Sequence, residues 1–328
     1  MRTAPIRLLR PALLAAALAA GAAAAQQPYP SRPVTVIVPF AAGGSVDSTA
    51  RFVLTKLADR LKQPVIVENV AGAAGTIGTQ RAVSATPDGY TLLFAVASPI
   101  TIARLVSPNT VRYDALKDLR PIAVVGTSPF VLVGKPDLKP ATTAELVREI
   151  RARPGKLSYA TDGVGTSLHL AGELIKQRGS LDIVHVPYKL GPQILTDVSG
   201  NQIDLAVLPL VLVQSAIKAG KLKGYGVTSK SRWPTAPDIP SLAESGEFKD
   251  LDVVSWYGLL APARVDSAIA DRLATEMAAV LADPEIVKRM GDLALVPVTM
   301  TPAQFAAYLA KERDDLAAVV KAGNIKAE

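Results

Sequence analysis

The sequence contains no cysteine and only two histidines, His169 and His185, in 328 residues. Missing thiols exclude disulfides, thiolate metal sites, cysteine nucleophiles and a lipid-modified N-terminal cysteine, and two imidazoles leave little for a histidine metal cluster. Aromatic residues are also scarce, with two Trp, eight Tyr and six Phe. Lys and Arg are mixed with Asp and Glu rather than gathered into a patch, so a nucleic-acid partner is not expected. There is no G-x-x-x-x-G-K-[ST], H-E-x-x-H or G-x-S-x-G. Gly72 to Gly78 has the wrong spacing for a dinucleotide fingerprint and reads as glycine-rich helix packing. No cofactor and no metal are expected, and any chemistry must come from oxygen and backbone groups.

Long apolar runs are missing too. Pro11 to Ala25 is almost wholly Ala and Leu, but its 15 residues fall short of the roughly 20 needed to span a bilayer as a helix. Arg2, Arg7 and Arg10 precede it without an acid, and Ala23-Ala24-Ala25 before Gln26 fits a small-residue cleavage site. Residues 1–25 therefore read as a secretory signal peptide cleaved near Ala25, and the mature protein is expected in the periplasm. Losing those three arginines lowers the formal charge from +7 to +4. That balance leaves a mild preference for anionic small molecules.

What is present is apolar material, 49% of residues, with 25 Pro and 23 Gly as punctuation. Short β-branched runs alternate with helical stretches, which predicts an α/β protein with mostly parallel sheets flanked by helices. Val34 to Val38 is the first strand. Phe52, Leu54, Leu57 and Leu61 then recur at helical spacing over Ser48 to Leu61, and Val65 to Val67 completes a βαβ unit. Further strands are predicted at 91–96, 122–125, 130–133, 157–160, 183–186, 203–208, 222–227 and 253–259. Long helices are predicted over Ile269 to Leu281 and Pro302 to Val320. The run Lys311-Glu312-Arg313-Asp314-Asp315 in the last of these reads as a solvated face.

Two glycine-bearing turns are candidate anion sites. Pro39 to Asp47 follows the first strand, and Gly43, Gly44 and Ser45 open the first helix there; Tyr159 to His169 repeats the plan with Gly163, Gly165, Thr166 and Ser167. Unpaired N–H groups at a helix start favour an anion, and two such turns facing one crevice would suit a carboxylate. Each turn equally fits a tight strand-to-helix connection with no ligand. Asp47 complements the helix dipole and lies four residues before Arg51, so a structural role is expected. Ser167 and His169 are two apart on a predicted helix and face different directions, which disfavours a nucleophile–base pair; His169 reads as a capping or packing residue and His185 as a buried, satisfied imidazole.

The residues in these segments also carry a family resemblance. Arg32-Pro33-Val34, Gly43-Gly44-x-x-Asp47-x-x-Ala50-Arg51, Val67-Glu68-Asn69-x-x-Gly72-Ala73 and Pro87-Asp88-Gly89-Tyr90-Thr91 are joined by His169-Leu170-Ala171-Gly172-Glu173, Val186-Pro187-Tyr188-Lys189 and Ser255-Trp256-Tyr257-Gly258. In this order they resemble the Bug family of solute-binding proteins. The resemblance implies a two-lobed Venus-flytrap fold, with residues 26–127 plus 254–328 as lobe 1 and 128–253 as lobe 2, that closes about strands near Ile122 to Thr127 and Val253 to Gly258. It implies capture of a small organic carboxylate for the integral membrane subunits of a tripartite tricarboxylate-type transporter, and no catalytic residues. Together with the two turns and the apolar Val207 and Leu208, it gives an expected ligand-binding set of Phe40, Ala41, Gly43, Gly44, Ser45, Ser98, Ala160, Gly163, Gly165, Thr166, Ser167, His169, Val207 and Leu208.

Two departures bear on the ligand. Leu208-Pro209 stands where many relatives have an aspartate, and Leu190 where glycine usually follows Tyr-Lys. Losing that carboxylate removes a partner for an ammonium group and favours a plain organic acid. Two other functions fit the same chain: a sensor component that hands its closed state to a membrane receptor, and a hydrolase using Ser45 or Ser167, for which no clear base is visible.

Overall fold

The computed structural model describes residues 29–189 and 191–327. The expected signal peptide, residues 1–25, and Leu190 lie outside the described residues. From Val34 onward the chain builds a ten-stranded sheet flanked by helices.

At one end β1 (Val34–Val38) pairs in parallel with β2 (Val65–Asn69) and β3 (Thr91–Ala95). Helix α1 (Ser45–Leu61) joins β1 to β2, burying Leu54, Leu57 and Leu61 as the spacing predicts, but Val53 rather than the expected Phe52, which is half-buried, and ends in Lys62 with a left-handed backbone. It begins three residues earlier than expected, because Gly44 rather than a side-chain cap precedes it. At the other end β5 (Ser158–Thr161) pairs in parallel with β6 (Val184–Pro187) and β7 (Leu205–Pro209).

Two long antiparallel strands connect these ends. β4 (Leu119–Gly134) pairs with β9 (Val254–Pro262) over its first part, with β7 over its last five residues and with β8 (Lys223–Val227) over its last four, while β9 also pairs with β3. The sheet is therefore mixed: parallel at both ends and antiparallel in the middle. Separate strands were expected at 122–125 and 130–133, yet β4 runs on through Thr127-Ser128-Pro129. Pro129, which has no N–H to give, sits where β4 changes partner from β9 to β7 and β8, the position at which a missing ladder donor costs least. The next N–H, from Phe130, donates to the Thr228 hydroxyl at 3.0 Å.

Among the described residues, the buried side chains include two distinct clusters. One contains Ile37, Leu93, Trp256, Leu260 and Phe305; the other contains Val131, Tyr159, Leu205, Val213, Tyr225 and Phe248. The C-terminal helices α7 (Ser267–Leu281), α8 (Pro284–Asp292) and α9 (Pro302–Ala322) cover the first end, α9 opening with a Thr301–Gln304 capping box. The charge run in α9 is not wholly solvated, which corrects the expectation. Glu312 is half-buried, accepts from Trp256 Nε1 at 2.9 Å with both oxygens, and from the Thr101 hydroxyl at 2.8 Å.

Candidate functional site

The carboxyl ends of the parallel strands from both ends of the sheet meet around a cavity of about 1100 Å³. This is where ligands sit in open α/β sheets, because helix starts with free N–H groups converge there.

The first wall follows β1. Phe40, Ala41, Gly44, Ser45 and Val46 line the cavity. The N–H groups of Ser45 and Val46 are in the first turn of α1 and have no acceptor within the helix. Gly43 is turned away from this role: its N–H donates to Asp47 Oδ2 at 2.9 Å, and the other carboxylate oxygen accepts from Arg51 Nε at 2.9 Å and Asn69 Nδ2 at 3.0 Å. Asn69 also donates to the Phe40 carbonyl at 3.0 Å. Asp47 thus shapes the turn, as its place in the first helical turn predicted. Tyr257, on β9, also lines the cavity, and burial pushes its phenol up to about 12 against a lowering effect of Ser45, so it stays a neutral hydroxyl at the cavity wall.

A second segment of this wall was set aside in the sequence as helix packing. Gly72, Ala73, Ala74, Gly75 and Thr76 line the cavity just after β2. Gly75 has φ +90°, and a Cβ there would stand 3.1 Å from Phe40 and 3.2 Å from Pro99, so glycine lets the turn lie against both. The available signal was positional: this is another turn leaving the carboxyl end of a parallel strand, as the Phe40 to Ser45 turn does.

The facing wall follows β5. Thr166 caps α4 (Ser167–Gly179), accepting from the His169 N–H at 3.2 Å and donating from its hydroxyl to the Gly163 carbonyl at 2.9 Å. Gly165 N–H donates to His169 Nδ1 at 3.1 Å, so that nitrogen is unprotonated and the imidazole is neutral. The His169 ring stacks on His185 at 4.3 Å between centroids, and His185 Nε2 lies 2.7 Å from the Thr161 hydroxyl. Burial pushes both imidazoles down, His185 to about 4. Ser167 N–H donates to Ser98 Oγ at 3.0 Å and the two hydroxyls are 2.9 Å apart, so a direct contact joins this wall to the first. These bonds leave Gly165 and Ser167 N–H satisfied inside the protein, and they separate Ser167 from any base at His169.

Of the residues expected to bind ligand, Phe40, Ala41, Gly44, Ser45, Ser98, Gly163, Gly165, Ser167 and Leu208 line this cavity, whereas Gly43, Ala160, Thr166, His169 and Val207 do not. Ala160 and Val207 are wholly buried within their strands, and Thr166 and His169 stand behind the turn they shape. Residues that sequence reasoning missed include Asp162, Ser107, Thr110, Tyr188, Lys189, Ser255, Tyr257 and Lys326. Several are polar groups on loops or at strand ends that only the tertiary fold brings together. Among the described residues no cluster of His, Asp and Glu could hold a metal ion.

An α/β molecule with a cavity between the strand ends of two parallel sheet regions, lined by helix starts and hydroxyls, has the architecture of a small-molecule-binding protein. The chain belongs to the tripartite tricarboxylate transporter family of receptors, whose profile matches residues 49–325. Among solved structures it is similar to the periplasmic binding protein BugD, with 32% identity, a TM-score of 0.86 and coverage of 92% of this chain and 100% of BugD. It is also similar to Rpa4515 of R. palustris, determined with adipate, at 28% identity and TM-score 0.87, covering 91% of this chain and 99% of that one. MatC (Rpa3494) of Rhodopseudomonas palustris, determined with bound malate, matches at 28% identity and TM-score 0.83 over 89% of this chain and 100% of MatC.

Proposed function

We propose that this protein captures a small organic carboxylate in the cavity and delivers it to the membrane subunits of a tripartite tricarboxylate-type transporter, after export to the periplasm and removal of residues 1–25. The lobes are residues 26–127 with 254–328 and residues 128–253, and the ligand closes them on each other. The observation that carries this reading is the open first turn of α1, where Ser45 and Val46 N–H groups, the Ser45 hydroxyl and the neutral Tyr257 phenol line one stretch of cavity wall. Neutral donors of this kind recognise a carboxylate without needing a paired cation. Family membership and the adipate and malate in two related structures support the same ligand class. Phe40, Leu208, Pro209 and Leu212 supply apolar wall for the ligand's carbon body.

Serine hydrolysis lacks support in this geometry, since His169 Nδ1 is occupied by Gly165 N–H and Ser167 is held by Ser98. Thermal unfolding in the presence of mono-, di- and tricarboxylates tests the proposal. A ligand present at about 100 times its Kd and bound only by the native state adds roughly 2.7 kcal/mol. A melting temperature unmoved by every acid, together with steady consumption of an ester or amide, would overturn it.

A further inference from the structure

The cavity contains one carboxylate, Asp162, that the carboxylate-binding reading does not use. It lies immediately after β5 and forms part of the cavity wall. Its Oδ1 is buried without a hydrogen-bond partner among the described residues, and Asp162 forms no ion pair with Lys189 or Lys326, the two cations that line the same cavity. Burial pushes the Asp162 carboxyl up to about 6, against the lowering effect of the Thr166 hydroxyl. Thr166 and the backbone compensate this carboxylate only in part, so a donor entering the cavity that Asp162 lines can add to that compensation, the charge being shared by both oxygens.

Asp162 leaves the end of β5, whose Ala160 is level with Ala206 of β7, and Leu208 of β7 lines the same cavity. Leu208 presents only apolar surface. Asp162 is then the acidic group in the same cavity wall as the apolar Leu208.

We infer that Asp162 reads a hydrogen-bond donor on the ligand, a hydroxyl or an ammonium next to the captured carboxylate, and so selects substituted acids over plain ones. This rests on the carboxylate reading above. A plain acid would bring only carbon to Asp162 and leave the aspartate desolvated and unpaired, whereas a hydroxyl or ammonium satisfies it. The expectation from Leu208-Pro209 that an ammonium lacks a partner is thereby replaced: the partner is one strand over.

The test is calorimetric titration of the full-length mature protein with two matched series, propanoate, lactate and alanine, and succinate, malate and aspartate. In at least one series the donor-bearing acid should bind about tenfold or more tighter than its plain counterpart, the size expected when a buried polar group would otherwise be left unpaired. Asp162→Ala should bring that ratio near one without weakening the plain acid. Asp162→Asn keeps a neutral acceptor, so a preference for hydroxyl should survive and a preference for ammonium should vanish, which distinguishes the two donors. Plain acids that bind wild type as tightly as both substituted ones would overturn the inference while leaving carboxylate capture standing, and this comparison needs no variant to fold. An unchanged ratio in a folded Asp162→Ala would overturn it as well. If none of the six acids, nor adipate or citrate, binds at all, carboxylate capture itself fails and the inference falls with it.

Discussion

Asp47 shows how one side chain converts sequence spacing into site geometry. Burial by itself pushes its carboxyl up, but hydrogen bonds from Arg51, Gly43 and Asn69 outweigh burial and hold it below its ordinary value. The Arg51 pair is half exposed and contributes little alone, so the main loss on substitution is the buried Gly43 and Asn69 bonds. Asp47→Asn replaces one of the two accepting oxygens with an amide donor that faces a donor on that side, and thermal or urea unfolding at pH 7 should show a loss of about 1–3 kcal/mol. Because the folded value is the lower one, this stabilisation is present above the unfolded value near 4 and is lost as pH falls through the folded value. The gap between wild type and Asp47→Asn should therefore close below about pH 4; a gap that persists there would contradict the account.

At the scale of elements, the contact of α9 with β9 and the Ser98–Ile102 turn depends on Glu312. Burial pushes this carboxyl up to about 7, even though Trp256 and Thr101 donate to it. A raised acid has the opposite sign to Asp47. Below the unfolded value the group is neutral in both states, and stability is lost as pH rises toward about 7, since the folded chain holds the proton longer. Glu312→Gln keeps an acceptor for Trp256 and removes the charge. It should match wild type near pH 4 and exceed it by roughly 3 kcal/mol at pH 8, read as a difference in urea midpoints. Equal pH profiles for the two proteins would refute a buried charge at this position.

The turn before α4 yields a second element-scale expectation. Gly165 has φ +77°, and a Cβ there would stand 2.8 Å from Val106 and 3.0 Å from Ala327, whose N–H donates to the Val106 carbonyl at 3.1 Å. Gly165→Ala thus meets both backbone strain and a wall contributed by the opposite end of the sheet. The strain is of order 1–3 kcal/mol. Ligand affinity should fall by about tenfold or more, a loss of about 1.4 kcal/mol, measured by calorimetry, with the first wall and its Ser45 contacts unchanged.

For the whole molecule, the proposed closure of the lobes would act through the crossing strands. Thr228 ties both crossings together: its N–H donates to the Phe130 carbonyl at 2.9 Å, its hydroxyl donates to the Val253 carbonyl at 2.6 Å, and Val253 N–H donates to the Thr228 carbonyl at 2.9 Å. Closure about these segments predicts a smaller radius of gyration by small-angle scattering once ligand saturates the protein. Thr228→Val removes the hydroxyl but retains shape and the backbone bonds. It should enlarge the ligand-free radius relative to wild type, with the ligand-bound radii converging. Ligand binding without any change in radius would exclude large closure.

The local pattern of residues determined the elements and the first wall. Periodicity marks α1 and the buried strands, since a helix stripe and a continuous apolar strand are written in neighbouring residues, and the glycines after β1 and β5 mark turns that must pass close to other groups. Asp47 as a structural acid was equally local, its partner lying four residues on. What only the tertiary structure decided is non-local. The merging of two predicted strands into β4 depended on partners far along the chain taking over at Pro129. The burial of Glu312 depended on Trp256, 56 residues away, and on Thr101. Above all, the direction of the turn N–H groups was hidden in the sequence: Gly43, Gly165 and Ser167 spend theirs on Asp47, His169 and Ser98, while Asp162, Tyr257 and the Gly72 to Thr76 turn reach the cavity. A spacing rule identifies a turn able to bind an anion, but which groups remain free depends on three-dimensional neighbours that the pattern of nearby residues does not contain.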